Sequence, residues 1–201
     1  MSINGSTSPD STNQPLNDEQ ANAVVTVSTE SPATQDLADV VRIILETGLR
    51  SGELCALRFI DAEIISSDGG ITGGRFSVKG KASARFVFFG PATVKVLEKR
   101  GESHPDSEYV FGESRQGLIK RVSRQLSSLA PRIGVLRLTI QTLRNTFFTR
   151  LVNAGVPAIV IKELGGWKSY GAPIKFVMDH SDVEISRAYY SAPEQSNGTE
   201  Q

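Results

Sequence analysis

The segment SRAYYS, residues 186–191, places two tyrosines side by side near the end of the 201-residue chain. A phenolic hydroxyl is a candidate nucleophile, whereas a tyrosine ring is also a common packing group. Neighbouring residues of a helix point about 100° apart, so only one of Tyr189 and Tyr190 can face a given site. The pair alone leaves open whether one of them reacts or both only pack.

Two arginines stand in settings that suit phosphate binding. Arg50 follows a Gly-Leu pair, which predicts the start of a helix, and Arg144 interrupts an apolar helical pattern. A guanidinium offers a planar fork of N–H donors to phosphate oxygens and can stabilise developing negative charge without a metal. Glu53 lies three residues after Arg50 on the same predicted helical face, where its carboxylate can orient the guanidinium. Each arginine can also belong to an ordinary surface ion pair.

Hydrophobic periodicity predicts the elements that must position these residues. The sequence GRFSVKGKASARFVFF predicts two strands joined by a basic turn that carries Lys81, with Lys79 two residues before it. The predicted helices are ADVVRIILETGL, SGELCALRF, PATVKVLEKR, QGLIKRVSRQLSSLA, TIQTLRNTFFTRLVNAG, VPAIVIKELGG and SDVEISRAYYS. The sequence therefore predicts an α+β, mostly helical fold with a small antiparallel β-sheet near its N-terminal side.

Charge is distributed unevenly along the chain, although its formal net charge is zero. Residues 1–36 contain five acids, no Lys or Arg and no aromatic residue, which predicts a disordered acidic N-terminal segment. All 22 Lys and Arg lie within residues 37–190 together with 15 acids, an excess of seven positive charges. This excess suits a polyanionic partner. The last residues, 193–201, are predicted to form a polar tail.

The composition indicates neither a secreted nor a membrane protein. Cys55 is the only cysteine, so an internal disulfide is excluded, as is usual in a reducing cytoplasm. The N-terminus lacks the basic and apolar regions of a signal peptide, and no apolar run approaches the ~20 residues that span a bilayer. We therefore expect a cytoplasmic protein.

Four segments, in this order along the chain, resemble the catalytic domain of the tyrosine recombinase, or phage integrase, family. They are ETGLRSGELCALRF, VKGKASARFVFF, TIQTLRNTFFTRLVNAGVPAIVIKELGGW and HSDVEISRAYY. The resemblance covers about residues 37–192 and implies that they form one DNA breaking-rejoining catalytic domain.

The resemblance implies a role for each matching residue. Arg50 and Arg144 would hold the scissile phosphate, and Glu53 would support the first of them. Lys81 would be the general acid that protonates the departing 5′ oxygen, and Lys79 competes for this role.

The chain departs from the family pattern on two predicted helices. Gln141 stands three residues before Arg144, where the family has a histidine, and an amide can donate a hydrogen bond but cannot act as a general base. Asn145 replaces a second position that is often histidine. Phe176 stands nine residues after Trp167, where the family's tyrosine is expected, and it has no hydroxyl.

The same nine-residue spacing recurs thirteen residues later, between His180 and Tyr189. The chain therefore contains an insertion, or it has lost one tyrosine and uses a second copy. Either Trp167 or His180 can donate a hydrogen bond to phosphate at the family's His/Trp position. The resemblance favours Tyr189 as the nucleophile and Tyr190 as a packing residue, with Tyr190 as the alternative nucleophile.

The resemblance implies a site-specific DNA recombinase or integrase of a mobile element. It would cleave and rejoin double-stranded DNA through a 3′-phosphotyrosyl intermediate, without metal or other cofactor, as an oligomer (a tetramer) on DNA. Two alternatives stay open. One is a catalytically degenerate DNA-binding remnant of the family, and the other is a helical interaction protein that binds an acidic partner rather than nucleic acid.

Overall fold

The computed structural model describes residues 13–31, 34–67, 70–79, 84–112 and 115–169. The helices are α1 (Asp18–Ser28), α2 (Gln35–Thr47), α3 (Ser51–Cys55), α4 (Pro91–Ser103), α5 (Arg115–Leu129), α6 (Ile140–Asn153) and α7 (Ala158–Gly165). The strands are β1 (Ala62–Ser67), β2 (Gly70–Lys79) and β3 (Ala84–Phe89). The predicted α+β, mostly helical class is confirmed. No described helix is long and apolar enough to cross a membrane.

The three strands form one antiparallel sheet in the order β1-β2-β3. The predicted hairpin is the β2–β3 pair, whose register runs from Gly74 opposite Phe89 to Lys79 opposite Ala84. Strand β1 was not predicted. Gly74 is required where β1, β2 and β3 meet, because a Cβ there would collide with the Glu63 carbonyl oxygen and the Phe89 ring.

Helix α2 is the centre of the core and contacts α1, α4, α5, α6 and β3. Its side chains are buried almost all round, as expected of a helix that other elements enclose. The helix ends at Gly48, whose φ of 60° and N–H bond to the Ile44 carbonyl (2.8 Å) form a left-handed cap. A Cβ at Gly48 would collide with the Phe147 ring of α6. This tight turn brings Arg50 to the start of α3, as the sequence predicts.

A buried ion pair ties the helices around α2 together. Arg100 of α4 donates through Nε to Asp39 of α2 at 2.9 Å, and both side chains are almost completely buried. Its guanidinium lies 4.3 Å from the Phe111 ring centroid and also contacts Asp36, which pairs with Arg121 of α5. The contacts fix α4 and α5 against the helix that leads to Arg50.

The prediction of disorder for residues 1–36 is wrong for residues 13–31 and 34–36. Residues 18–28 form α1, which begins with a reciprocal capping box between Asn17 and Gln20. Its apolar face enters the main core through Ala21 and Val24. Few apolar residues suffice for this packing, because neighbouring helices supply the rest of the core. Residues 1–12 and 32–33 lie outside the described residues.

Val24→Ala should lower the free energy of unfolding by roughly 2 kcal/mol, because it removes two methyl groups from a fully buried position and leaves a cavity. Urea unfolding followed by circular dichroism measures the change. Asn22→Ala is the matched control, since Asn22 is exposed on the same helix, and it should change the value by less than about 0.5 kcal/mol. Equal effects of the two substitutions would show that α1 does not pack on the domain.

Candidate active site

Arg50 is the N-cap residue of α3 and pairs with Glu53 of the same helix. The Arg50 backbone N–H donates to Glu53 Oε2 and its guanidinium donates to Oε1, both at 2.9 Å. The Arg50 side chain is 39% exposed, whereas that of Glu53 is 9% exposed. Glu53 therefore anchors a guanidinium whose outer edge faces solvent.

Arg144 lies in the second turn of α6 and is only 4% exposed. Its guanidinium donates to the carbonyl oxygens of Gly48 and Gly165, the latter at 3.0 Å. The Phe148 and Trp167 ring centroids lie 4.8 Å and 5.5 Å from its central carbon. Backbone carbonyls and aromatic faces, rather than a carboxylate, hold this cation in place.

Arg85 on β3 is a third arginine of the site, and sequence reasoning missed it. It binds Glu53 through two parallel hydrogen bonds of 2.7 Å and 2.9 Å, and both side chains are 9% exposed. Its Nε donates to the Leu164 carbonyl at 2.9 Å. The sequence did contain a signal for Arg85. Side chains alternate between the two faces of a strand, so Arg85 lies on the same face as the buried Val87 and Phe89. A charged side chain on a buried face needs a partner.

The last carbonyls of α7 accept hydrogen bonds from all three arginines. Helix C-terminal carbonyls lack intrahelical partners and carry the negative end of the helix dipole, so they suit cations. We call these three carbonyls the α7 carbonyl cluster. The carbonyl of Leu164 accepts from Arg85, that of Gly165 from Arg144 and that of Gly166 from Arg50.

Two glycines make this close approach feasible. Gly166 has φ of 60°, and a Cβ there would lie 3.1 Å from the Arg85 guanidinium. A Cβ at Gly165 would collide with the Trp167 ring. The Gly-Gly pair that ends α7 is therefore required by both backbone conformation and space.

A cleft of about 380 Å³ opens between α3, α6 and the end of α7. It brings together four residues that the sequence singled out, and its lining comprises Arg50, Ser51, Ile140, Gln141, Arg144 and Trp167. The Trp167 ring packs on Phe148 with centroids 4.6 Å apart, so this indole serves both the small core around α6 and α7 and the wall of the cleft.

The charges of the site perturb one another. Burial alone would raise the pKa of Glu53, but hydrogen bonds from Arg85 and Arg50 outweigh it and lower that pKa to about 2. Burial lowers the pKa of Arg144 to about 9, and the nearby positive charge of Arg50 acts in the same direction. Arg50 and Arg85 share the carboxylate of Glu53, whereas Arg144 binds backbone carbonyls, so positive charge exceeds negative charge beside the cleft.

Four of the other predicted site residues have no described position. Lys81, His180, Tyr189 and Tyr190 lie outside the described residues. Phe176 lies outside them too.

Lys79 is described and ends β2 at an exposed position. It lines a second cleft, of about 220 Å³, that Glu53, Arg58 and Asp61 also line. Glu53, which binds Arg50 and Arg85, thus shares this second cleft with Lys79.

Comparison with known proteins gives a family match for most of the chain. The model of the phage integrase family matches residues 14–176. No curated protein matches the chain in sequence.

Among solved structures, the chain is similar to XerA recombinase, with 21% identity and a TM-score of 0.68 over 90% of this chain and 65% of that one. It is similar to XerH site-specific recombinase bound to palindromic difH substrate in a post-cleavage complex, with 18% identity, a TM-score of 0.71 and coverage of 89% and 53%. The catalytic domain of bacteriophage HP1 integrase gives 17% identity, a TM-score of 0.60 and coverage of 91% and 97%.

The chain thus spans between about half and two thirds of the two Xer recombinases but nearly all of the HP1 catalytic domain. At these identities the similarity concerns the fold. The described part of the chain has the fold of the catalytic domains in these structures, as the sequence motifs imply.

Glu53→Gln should lower the free energy of unfolding at pH 7 by about 3 kcal/mol, because the shift of its pKa from 4.5 to about 2 corresponds to that difference. The carboxylate is stabilised in the folded state, so its contribution is complete above about pH 4.5 and is lost as pH falls toward about 2. Urea unfolding between pH 7 and pH 3 should show the two proteins converging below pH 4.5.

Glu63→Gln is the control for this experiment. Its carboxylate pairs with Arg75 but is 60% exposed, so the substitution should change the free energy of unfolding by less than about 1 kcal/mol. A difference between wild type and Glu53→Gln that stays constant with pH would show that the Glu53 charge contributes nothing.

Proposed function

The chain belongs to the phage integrase family, and we propose that it cleaves and rejoins double-stranded DNA through a 3′-phosphotyrosyl intermediate. The observation that carries this proposal is the pair of guanidiniums, Arg50 and Arg144, that line one cleft and are fixed by the α7 carbonyl cluster. Preorganised donors of this kind stabilise a phosphoryl transition state without reorganising during the reaction.

The geometry supports a specific division of labour. A guanidinium has five N–H donors, and Arg50 and Arg144 each use two in the contacts described above, so donors remain for the phosphate. Gln141 and Trp167 each add a side-chain N–H at the rim of the cleft. In this proposal all four residues bind non-bridging oxygens, and none of them accepts a proton.

The reaction would proceed by transfer of the phosphoryl group to a tyrosine. The phenolic oxygen of Tyr189 attacks phosphorus, the bond from phosphorus to the 5′ oxygen breaks, and a lysine gives that oxygen a proton. Attack by a 5′ hydroxyl on the phosphotyrosyl bond reverses these steps and releases the tyrosine. Lys81 and Lys79 are the two candidate acids; Lys79 borders Glu53 across the second cleft.

Several finer points belong to the same proposal. The substrate would be double-stranded DNA, bound by the basic excess of residues 37–190, and strand exchange would require an oligomer, a tetramer, on that DNA. The similar XerH structure is of a recombinase with its difH substrate after cleavage. Recombination of a mobile element in the cytoplasm is the expected setting.

A suicide DNA substrate, nicked so that the cleaved end diffuses away, should yield a covalent adduct with the wild-type chain. Tyr189→Phe should abolish the adduct, because only the phenolic oxygen can attack phosphorus. Tyr190→Phe, the matched control, keeps the ring and should retain most of it. Denaturing gels and peptide mapping measure both. An adduct on Tyr190 would reverse the assignment of the two tyrosines.

Arg50→Ala should reduce the rate of cleavage by roughly 10²–10³-fold, the usual effect of removing one preorganised donor of a transition state. Arg132→Ala is the control, since Arg132 is about half exposed and pairs with Glu30 outside the cleft. Single-turnover rates on saturating DNA give the comparison, and melting temperatures verify the fold. Equal rates for the two variants would remove Arg50 from the mechanism.

A second candidate function is that of a DNA-binding remnant without strand-cleaving activity. It is favoured by Phe176, which stands where the family's tyrosine is expected, and by the end of the family match at that same residue. In this case the chain would bind DNA with an affinity that falls steeply with salt and would yield no adduct. The suicide substrate therefore separates the two functions.

A further inference from the structure

The two residues of α6 that depart from the family pattern are hydrogen-bonded to each other. Gln141 Nε2 donates to Asn145 Oδ1 at 2.7 Å, across one helical turn. Asn145 Nδ2 in turn donates to the backbone carbonyl of Asn13 at 2.8 Å. A carbonyl can only accept, so the amide of Asn145 has a fixed polarity, and its oxygen must face a donor of Gln141.

The backbone that supplies this carbonyl is held along α6. The segment formed by residues 13–17, here called the N-terminal strap, lies against the first half of that helix. Asn13 accepts a hydrogen bond from the Thr139 hydroxyl at 2.8 Å, and Thr139 is the N-cap of α6. Farther along, the Leu16 N–H donates to the buried Thr146 hydroxyl at 2.9 Å, and the Leu16 side chain is buried in the core.

We propose that Asn145 is a positioning residue through which the Asn13 carbonyl fixes the amide of Gln141 at the cleft. The inference rests on the proposed function, in which Gln141 binds a phosphate oxygen. One hydrogen of Gln141 Nε2 is used by Asn145, so the other is directed away from it and is available for that oxygen. The Asn13 carbonyl, at the start of the N-terminal strap, thereby contributes to the geometry of the cleft.

This arrangement has a chemical consequence. Neither amide titrates, so the donor that replaces the family's histidine keeps its hydrogen and its orientation at any pH at which the fold persists. A lone glutamine on an exposed helical turn would sample several rotamers and lose entropy on binding phosphate. Fixing its amide in advance removes part of that cost.

A double-mutant cycle tests the proposal with the full chain. The variants are Gln141→Ala, Asn145→Leu and the double variant, each assayed for single-turnover cleavage of the suicide DNA substrate. Asn145→Leu should slow cleavage by about tenfold in the wild-type background, as loss of an outer-shell partner does. It should change cleavage less than about twofold in the Gln141→Ala background, because the residue that it positions is already gone.

Thr146→Val is the control for a loosened strap. It removes the acceptor of the Leu16 N–H without touching the chain from Asn13 to Gln141, so it should lower the melting temperature while cleavage changes less than about twofold. An equal effect of Asn145→Leu in both backgrounds, or a loss of cleavage in Thr146→Val as large as in Asn145→Leu, would overturn the proposal in favour of a purely structural role.

The experiment distinguishes this proposal from the proposed function itself. If the wild-type chain forms no adduct, the proposed strand-cleaving function is wrong. The dissociation constants of the same four proteins for a DNA duplex are then measured at one fixed salt concentration. Coupling between Gln141 and Asn145 in those constants would support the positioning role on a binding protein. Additive effects, or no effect of either substitution on binding, would overturn it.

Discussion

The geometry of the candidate site depends on the interaction between the α7 carbonyl cluster and three guanidiniums. The three guanidiniums repel one another, and the single carboxylate of Glu53 offsets only part of this repulsion. The carbonyls at the end of α7 supply further negative potential without adding a charge that would also repel phosphate. A helix terminus therefore gathers cations here and leaves the cleft positive.

This constraint connects the active site to the rest of the fold. Helix α7 is held by a small core in which Phe147, Phe148 and Val152 of α6 pack with Ile161. The Arg144 guanidinium also donates to the carbonyl of Gly48, which caps α2, so the end of α2 helps to fix the position of this guanidinium. The low pKa of Arg144 reflects its burial and the neighbouring positive charges. An anion in the cleft would stabilise the charged guanidinium and so raise this pKa again. The protein thus holds its cations in an arrangement that a phosphate would stabilise.

Local pattern predicted most elements but few of the contacts between them. Helix α6 was predictable because its apolar residues recur at helical spacing and Gly155 follows its end, and the hairpin was predictable from alternation around a basic turn. Strand β1 has no comparable signal, since it pairs with a glycine-rich part of β2 and carries exposed side chains. Arg85 was missed because its two partners, Glu53 and Leu164, are distant in sequence. Asn13 and Asn145 are 132 residues apart in sequence, so no local sequence pattern predicts their hydrogen bond.

The replacement of histidine by Gln141 changes which part of the proposed chemistry must remove the phenolic proton. An amide cannot accept it, and the departing 5′ oxygen takes its proton from a lysine in this proposal, so the proton of the nucleophile would leave to solvent. In the proposed reaction Arg50 and Arg144 stabilise the negative charge that develops on the phosphate. In such a site the general base matters less than the fixed positions of the guanidiniums, which the last turn of α7 provides.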